Sequence, residues 1–480
     1  MHNPMFAKNT RTSYPVLMML CLLNFTGCYQ QSTWDVTHFG AVGDSVTLNT
    51  EAIQSAIDAC SKNGGGEVLI AGGTYVTGTL LLKDHVTLRI SENARLVSSI
   101  NPNHFKPIDP FIDATGQYRG QCLIGAIDAK NVGIVGKGTI DGRGEMFRVN
   151  QIKKTMQRLG EKLITPQLPD VDTTKQHYVN KKIRPSYRPF LIRLVRTKDI
   201  KIEGVSLRNP AAWTVHFYQC KKFNVSNVDI YSHANQNNDG IDIDSSTDGE
   251  ITNVHVNSGD DAICFKATSP KPTERIRVAN CRLSSHWGAI KFGTESMGDF
   301  RDIIIKNCNV YDTKGGGIKI LSVDGANIHN IVIDSIEMEN VDMPLFVRLG
   351  ERRLTYRDAE RLPVGTINDV QISNIKAVTR SLDESRMNPP TGVFITGTPN
   401  HAIGQLVLQN IDITLPGGGT TTHAAADVPE NETKYPEFTL FGNALPAYGL
   451  YARHIDGLVT ENVKFTLTGS DDRPQIITPN

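Results

Sequence analysis

Residues 274–283 read ERIRVANCRL, and residues 301–310 read RDIIIKNCNV. The two share a plan: an alternating apolar strand, Asn-Cys at a bend, then a second alternating strand. The plan recurs more loosely as KDIKIEGVSL (198–207), KKFNVSNVDI (221–230), GEITNVHV (249–256), HNIVIDSIEM (329–338), NDVQISNIKA (368–377) and GQLVLQNIDI (404–413). Taking Ile200, Phe223, Ile251, Ile276, Ile303, Ile331, Val370 and Leu406 as equivalent gives steps of 23, 28, 25, 27, 28, 39 and 36 residues. Strands of period two that return every 20 to 30 residues or so mark a solenoid; propeller blades need about 40 or more. The expected fold is all-β, a right-handed parallel β-helix in which the longer steps carry loop insertions. Ile and Val face inward along each strand. One coil cannot bury that face alone, but stacked coils can. Asn suits the bends because it tolerates left-handed backbone angles and can bond to the Asn of the next coil. Cys281 and Cys308 hold one place in adjacent phrases and should stack as small core residues.

The rest of the chain fits a single domain over residues 34–470. Its 480 residues are 39% hydrophobic and 21% charged, with 50 Lys+Arg against 50 Asp+Glu. No basic excess points to nucleic acid. Lys8 and Arg11 precede the apolar run YPVLMMLCLLNFTGC (14–28), which has the length of a signal peptide and is too short to span as a helix. Residues 1–28 are therefore expected to be an export leader. Gly27-Cys28 reads as a loose lipobox, so lipidation of Cys28 would be the sole membrane attachment. The expected location is the periplasm or, as an anchored lipoprotein, the outer membrane; a plain leader would give secretion. The six cysteines outside the leader show no zinc-ligand spacing and read as buried free thiols. In TEAIQSAIDACSKNGGG (50–66), Ile53, Ala56, Ile57 and Cys60 lie at helical spacing with Thr50 as cap. This short helix should close the N-terminal end of the stack. Residues 146–190 and 415–448 read as long loops. The chain is expected to be monomeric.

Function enters with NNDGIDIDSSTDGEITNVHVNSGDDAICFK (237–266). Asp239 precedes Asp260 by 21 residues, about one coil, and Asp261 follows directly. Neighbouring parallel strands lie about 4.8 Å apart, so carboxylates one coil apart are neighbours. Like charges that close raise at least one pKa, and acid/base catalysis needs one group protonated beside another ionised. For Asp260 and Asp261 to share a face, their strand must bend or end there. Asp242 and Asp244 are assigned to bend hydrogen bonds and support.

NNDGIDID, SGDDAICFK and GGGIKI, in that order along a β-helix, resemble glycoside hydrolase family 28, the polygalacturonases and their relatives. FGAVGDSVTLNTEAIQSAIDACSKNGGGEVLIAGGTYVTGTLLLKDHVTL (39–88) and NPAAWTVHFYQCKKFNVSNVDI (209–230) look like the same family, and the resemblance covers most of residues 38–375. It implies an exported glycosidase cutting α-linked galacturonide or a related acidic polysaccharide with inversion, without metal or cofactor. Asp260 would be the general acid, and Asp239 and Asp261 would hold the attacking water, with Asn237 beside them. Two departures bear on substrate. Where the family has Gly-His-Gly, this chain reads SSHWGAIKFGTES (284–296), with Gly288 in the histidine place and His286 two residues earlier, on the same face if the segment is a strand. Where the family has Arg-x-Lys, gripping a galacturonate carboxylate on the leaving-group side, this chain has Gly317-Ile318-Lys319. Losing the arginine fork favours a neutral sugar there, as in rhamnogalacturonan.

Lys266, Lys291, Lys319, Arg348, Arg352 and Tyr356 complete the expected substrate-binding set, against the reading that each is a solvated surface residue. Trp213 is expected to pack coils. Two other readings stay open. One is a non-catalytic β-helix that binds polysaccharide, which would have no need to crowd carboxylates. The other is a lyase on the same fold, which would want calcium and a basic Arg or Lys.

Overall fold

Ile276 pairs with Ile303, Ile303 with Ile331, Ile331 with Val370 and Val370 with Leu406, the rungs that the repeat predicts. These pairings come from a computed structural model, which describes residues 1–2, 32–169, 182–357 and 359–478. The expected leader and Cys28 lie outside the described residues. One rung differs from the expectation. Phe223 faces Gly249, a step of 26, and Gly249 faces Ile276, a step of 27, so Ile251 is not the equivalent position. The reason is space. A Cβ on Gly249 would lie 2.1 Å from the Phe223 ring, so the inward place in this coil is filled by the neighbour's aromatic, itself stacked on Phe217.

Among the described residues, parallel pairing continues through two long sheets, of 22 and 14 strands, that wind together as a right-handed β-helix. Their inward side chains form one continuous apolar core, with residues such as Ile241, Phe265, Phe292 and Ile333 fully buried. Cys281 and Cys308 are buried free thiols at matching places in adjacent rungs. The helix α1 (Thr50–Lys62) buries Ile53, Ala56, Ile57 and Cys60 against the first strands, as expected. Thr50 is its first residue and not its cap. The Thr50 hydroxyl accepts from the Gly78 amide at 2.7 Å, and Asn49 holds the N-cap place.

The region 146–190 contains a helix where a loop was expected. In α2 (Val149–Leu159), Ile152, Thr155 and Met156 form a buried stripe, and Gly160 ends the helix at φ 67°. Lys, Gln and Arg outnumber the apolar residues there, which hides the stripe. Residues 416–448 do form an irregular segment, which lies across the outer face of the smaller sheet through Phe438 and Phe441 against Phe346 and Phe394.

The outer face of the smaller sheet carries the chemistry. Its successive parallel strands are β1 (Gln117–Ile127), β2 (Phe190–Val195), β3 (Val215–Tyr218), β4 (Ile241–Asp244), β5 (Ile263–Ala267), β6 (Ile290–Ser296), β7 (Ile318–Ser322) and β8 (Leu345–Leu349). Alternation sends Ile241, Ile263, Ile290 and Ile318 inward and places Asp242, Cys264, Lys291 and Lys319 in a column outside.

Asparagines tie the far edge. Asn462 donates to Asn410 at 2.9 Å and Asn410 to Asn374 at 3.0 Å, and all three have φ of 52–55°. Asn410→Ala is expected to cost about 1–2 kcal/mol, because it loses two bonds and keeps a left-handed backbone that alanine dislikes. Asn410→Gly loses the same bonds without that strain and should cost less. Urea unfolding of the three proteins checks the order; alanine no worse than glycine would remove the backbone argument.

Candidate active site

The coil step at the acidic motif is 22 residues and not 21. Ile241 pairs with Ile263, and the Gly240 amide donates to the Asp261 carbonyl at 2.8 Å. The residue stacked on Asp239 is therefore Asp261. Asp260 precedes it in the bend between the strand His255–Ser258 and β5. That bend lets the two consecutive aspartates share a site. Ser258 and Ser285 hydroxyls both donate to the Asp260 carbonyl, at 2.7 and 2.6 Å, and fix its backbone. One carboxylate oxygen each from Asp239, Asp260 and Asp261 lies within 4.8 Å of the others.

Their environments divide the protons. Burial would raise the Asp261 carboxyl, but Lys291 and Lys266 outweigh it and hold it below the usual range. Lys291 Nζ lies 2.7 Å from Asp261 Oδ2, and the Gly288 amide donates to Oδ1 at 2.9 Å. Asp260 is pushed well up by burial and by the charges of Asp239 and Asp261. Asp239 is pushed up by burial and by Asp242. The site thus favours the ionised form of Asp261 beside Asp239 and Asp260 carboxyls that favour their protonated forms. Among the described residues this trio could also gather a cation, but Lys291 and Lys266 already supply positive charge at hydrogen-bond and ion-pair distance.

Lys266 is the hub. Its ammonium lies 3.6 Å from Asp239, 3.5 Å from Asp242 and 3.1 Å from Glu295, and 4.8 Å over the Trp213 ring. Trp213 packs with Phe190 and His216, as a coil-packing residue. A bulge in β6 inserts residues between the pairs Phe265–Phe292 and Ala267–Ser296 and brings Glu295 to Lys266. Asp244 has the supporting role expected of it, accepting from the Thr268 amide and hydroxyl. Asp242 does not. Both its oxygens lack hydrogen-bond partners, and burial raises it to about 8.

Asn237 sits beside the trio at φ 53°, and its Oδ1 accepts from Arg119 at 2.8 Å and Arg188 at 2.9 Å. Arg188 is lowered to about 9 by burial and by Arg119. No sequence signal joined these arginines to Asn237, for they come from distant coils.

The remaining expected residues fall elsewhere. His286 lies in the turn between Arg282–Ser285 and β6, so strand parity does not apply to it. Its ring packs edge-on against His233 at 4.9 Å, in a basic surround of Lys314, Arg386 and Arg380, and is lowered to about 4 by burial and these charges. Arg386 also lies 4.7 Å over the Trp287 ring. Gly288 does stack above Asp261, where a Cβ would meet Asp261 Oδ1 and Lys291 at 3.1 Å. Gly316 continues that column, and a Cβ there would meet Lys319. Gly317 does not mark a cleft-facing arginine place: a Cβ there points at Met338 in the core, 2.7 Å away.

Lys319 is fully buried and paired at 2.7 Å with Glu437 of the 416–448 segment, a partner that the sequence did not suggest. Arg348 is buried too, and donates to the carbonyls of Gly397, Glu430 and Asn431; it anchors that segment instead of a substrate. Arg352 and Tyr356 are bound to Asp324, so they are not free cleft donors. Arg352 instead lies 5.9 Å from the ring of Tyr435, which is 43% exposed and within the electrostatic reach of Lys291 and Asp261.

Comparison with known proteins agrees with this geometry. The family model described as glycosyl hydrolases family 28 matches residues 72–433. The chain is similar to an exo-poly-alpha-D-galacturonosidase of Dickeya chrysanthemi, 29% identical over 64% of this chain and 55% of the relative. It thus spans about half the length of that relative. A probable polygalacturonase of Vitis vinifera is 26% identical over 76% of this chain and 73% of its own. Among solved structures, a family 28 exopolygalacturonase of Yersinia enterocolitica superposes with a TM-score of 0.65 at 21% identity, covering 94% of this chain and 78% of that one, which speaks for the fold.

The raised Asp242 carboxyl has a consequence for stability. Between its ordinary unfolded value, about 4, and its folded value, about 8, the native state holds a proton that the unfolded chain releases. Stability therefore falls as pH rises through that window. Asp242→Asn removes this contribution. The variant should match the parent near pH 4 and exceed it near pH 8 by on the order of a few kcal/mol. Denaturant unfolding at both pH values measures the difference; parallel pH slopes would contradict it.

Proposed function

Because the chain belongs to glycosyl hydrolase family 28 and is an O-glycosyl hydrolase, we propose that it cleaves α-linked galacturonide bonds in acidic pectic polysaccharide by inverting acid/base catalysis. The observation that carries this reading is three carboxyls with one oxygen each within 4.8 Å of the others, one of them paired with Lys291. Asp260 keeps its proton near neutral pH and delivers it to the glycosidic oxygen. Asp261, kept ionised by Lys291, takes up the proton of a water as it attacks the anomeric carbon, and Asp239 on the preceding coil helps to hold that water. Three carboxylates with two lysines among them have no evident use in a protein that only binds sugar. The names of the relatives, and the basic surface at His286, Lys314 and Arg386, support an anionic polymer.

The separation within the trio is shorter than the roughly 6.5–9.5 Å that inverting carboxyl pairs keep. The water is therefore assigned to the Asp239–Asp261 edge, away from the Asp260 proton. Proton NMR of the first products decides the stereochemistry: inversion of an α bond gives a β anomer, and an initial α anomer would assign the trio a covalent route. Asp260→Asn should lower turnover by about 10²–10⁴ while the melting temperature holds, because an amide cannot deliver the proton. Activity should persist in a chelator, since lysines supply the local charge. Near-normal turnover of the folded variant would remove Asp260 from the acid role. Products of polygalacturonate and of rhamnogalacturonan backbone, read by mass, test the substrate class. The apolar run at residues 14–28 supports export, which cell fractionation checks.

The finer reading is a neutral sugar on the leaving-group side. Lys319 there is already matched by Glu437, so a substrate carboxylate would meet a neutralised pair. Glu437→Gln releases the lysine charge and should shift the ratio of oligogalacturonide to rhamnogalacturonan cleavage upward about tenfold, the size of a single charge contact of about 1.4 kcal/mol. An unchanged ratio in a folded variant would remove Glu437 from substrate selection.

A further inference from the structure

A cavity of about 290 Å3 opens on the side of the carboxylates away from Lys319. It lies among the strand Pro107–Ile112, β1 and residues 164–167. Phe105, Pro107, Pro110 and Ile164 give it apolar walls. Of the polar residues that line it, three carry a buried atom without a hydrogen-bond partner: Arg119 Nη1, Gln121 Oε1 and Ser186 Oγ. Arg119 is 3% exposed and Ser186 7%. Buried polar atoms are almost always satisfied, so three orphans around one cavity point to a partner that fills it.

The chemistry of that partner follows from what is already matched. Arg119 Nε is ion-paired with the buried Asp113, and its Nη2 bonds Asn237 beside the catalytic carboxyls. Asp113 is further held by the amides of Thr115 and Gln117. The positive charge therefore has its counter-ion, and the cavity asks for no anion. What is left over is one donor, one acceptor and one hydroxyl able to be either. Neighbouring sugar hydroxyls offer that combination, while the C–H face of a pyranose packs on proline and phenylalanine. The volume lies at the small end of ligand pockets, the size of one monosaccharide ring.

We propose that this cavity is a subsite for one neutral pyranosyl residue of the substrate, coupled to the catalytic loop through Arg119. The proposal takes only the ligand class, carbohydrate, from the function proposed above. Its test uses the inactive Asp260→Asn protein, so that failure of the hydrolase reading and failure of this one are read separately. Saturation-transfer NMR is recorded with methyl α-galactopyranoside, methyl α-rhamnopyranoside and sodium galacturonate. At least one neutral glycoside should give signal and galacturonate less. Gln121→Met, which removes the acceptor at similar size, and Ser186→Phe, which fills the space, should each weaken binding by about tenfold. If Ser186→Phe fails to fold, Ile164→Asp at the exposed wall takes its place. Neutral glycosides that do not bind, that bind the folded variants equally well, or that bind less well than galacturonate would overturn the proposal.

Discussion

The 2.8 Å bond from the Gly240 amide to the Asp261 carbonyl is one rung of a ladder on which everything at the site depends. It fixes the register between two coils, and the register decides which acidic side chains meet. Slip that pairing by one residue and Asp239 would stack on Asp260, while the inward isoleucines of β4 and β5 would turn outward. The buried core therefore guarantees the arrangement of the carboxylates. The stacked apolar coils serve to hold one carboxylate oxygen from each of three aspartates within 4.8 Å of the others, about the general spacing of parallel strands.

Charge is balanced locally in a chain whose total is neutral. Asp239, Asp242, Asp261 and Glu295 face Lys266 and Lys291, with Asp260 adding a proton of its own. Asp239, Asp242 and Asp260 are all pushed toward their protonated forms, because two lysines cannot neutralise every acid in the group. The same logic operates at Lys319, where the 416–448 segment contributes Glu437 and packs its phenylalanines alongside. That segment is consequently part of the cleft wall and not decoration on the solenoid.

Much of this was legible in the sequence, and the misses have causes. The rungs from Ile276 to Leu406 could be read because each inward position is apolar. The rung at Gly249 could not, since glycine gives no hint that a neighbour's Phe223 occupies its place. The aspartates were found through motif and spacing, with the stacking partner misassigned by one residue because a coil step has no fixed length. Lys266 and Lys291 were found because they lie on the same strands as the motifs. Arg119, Arg188, Glu437 and Tyr435 were not, because they come from other coils or from inserted segments: Arg188 lies 49 residues, and Arg119 and Glu437 lie 118 residues, from the side chains they bond. Arg348, Arg352 and Tyr356 stood at a plausible distance in sequence, but their partners are backbone carbonyls and Asp324, and sequence spacing cannot distinguish a brace from a contact to substrate.

Two glycines stand above Asp261, and they are not alike. Gly316 has φ 122°, a backbone that resists any side chain, whereas Gly288 is not in a left-handed conformation. A Cβ at 288 would meet Asp261 Oδ1 and Lys291 Cβ at 3.1 Å, tight contacts that would press on the Asp261–Lys291 pair. Position 288 can therefore acquire a side chain by a single substitution with the main chain left in place, whereas 316 cannot. An evolutionary path toward a new cleft shape runs more easily through 288 than through 316, and it would act first on the Asp261–Lys291 pair that a 288 side chain touches.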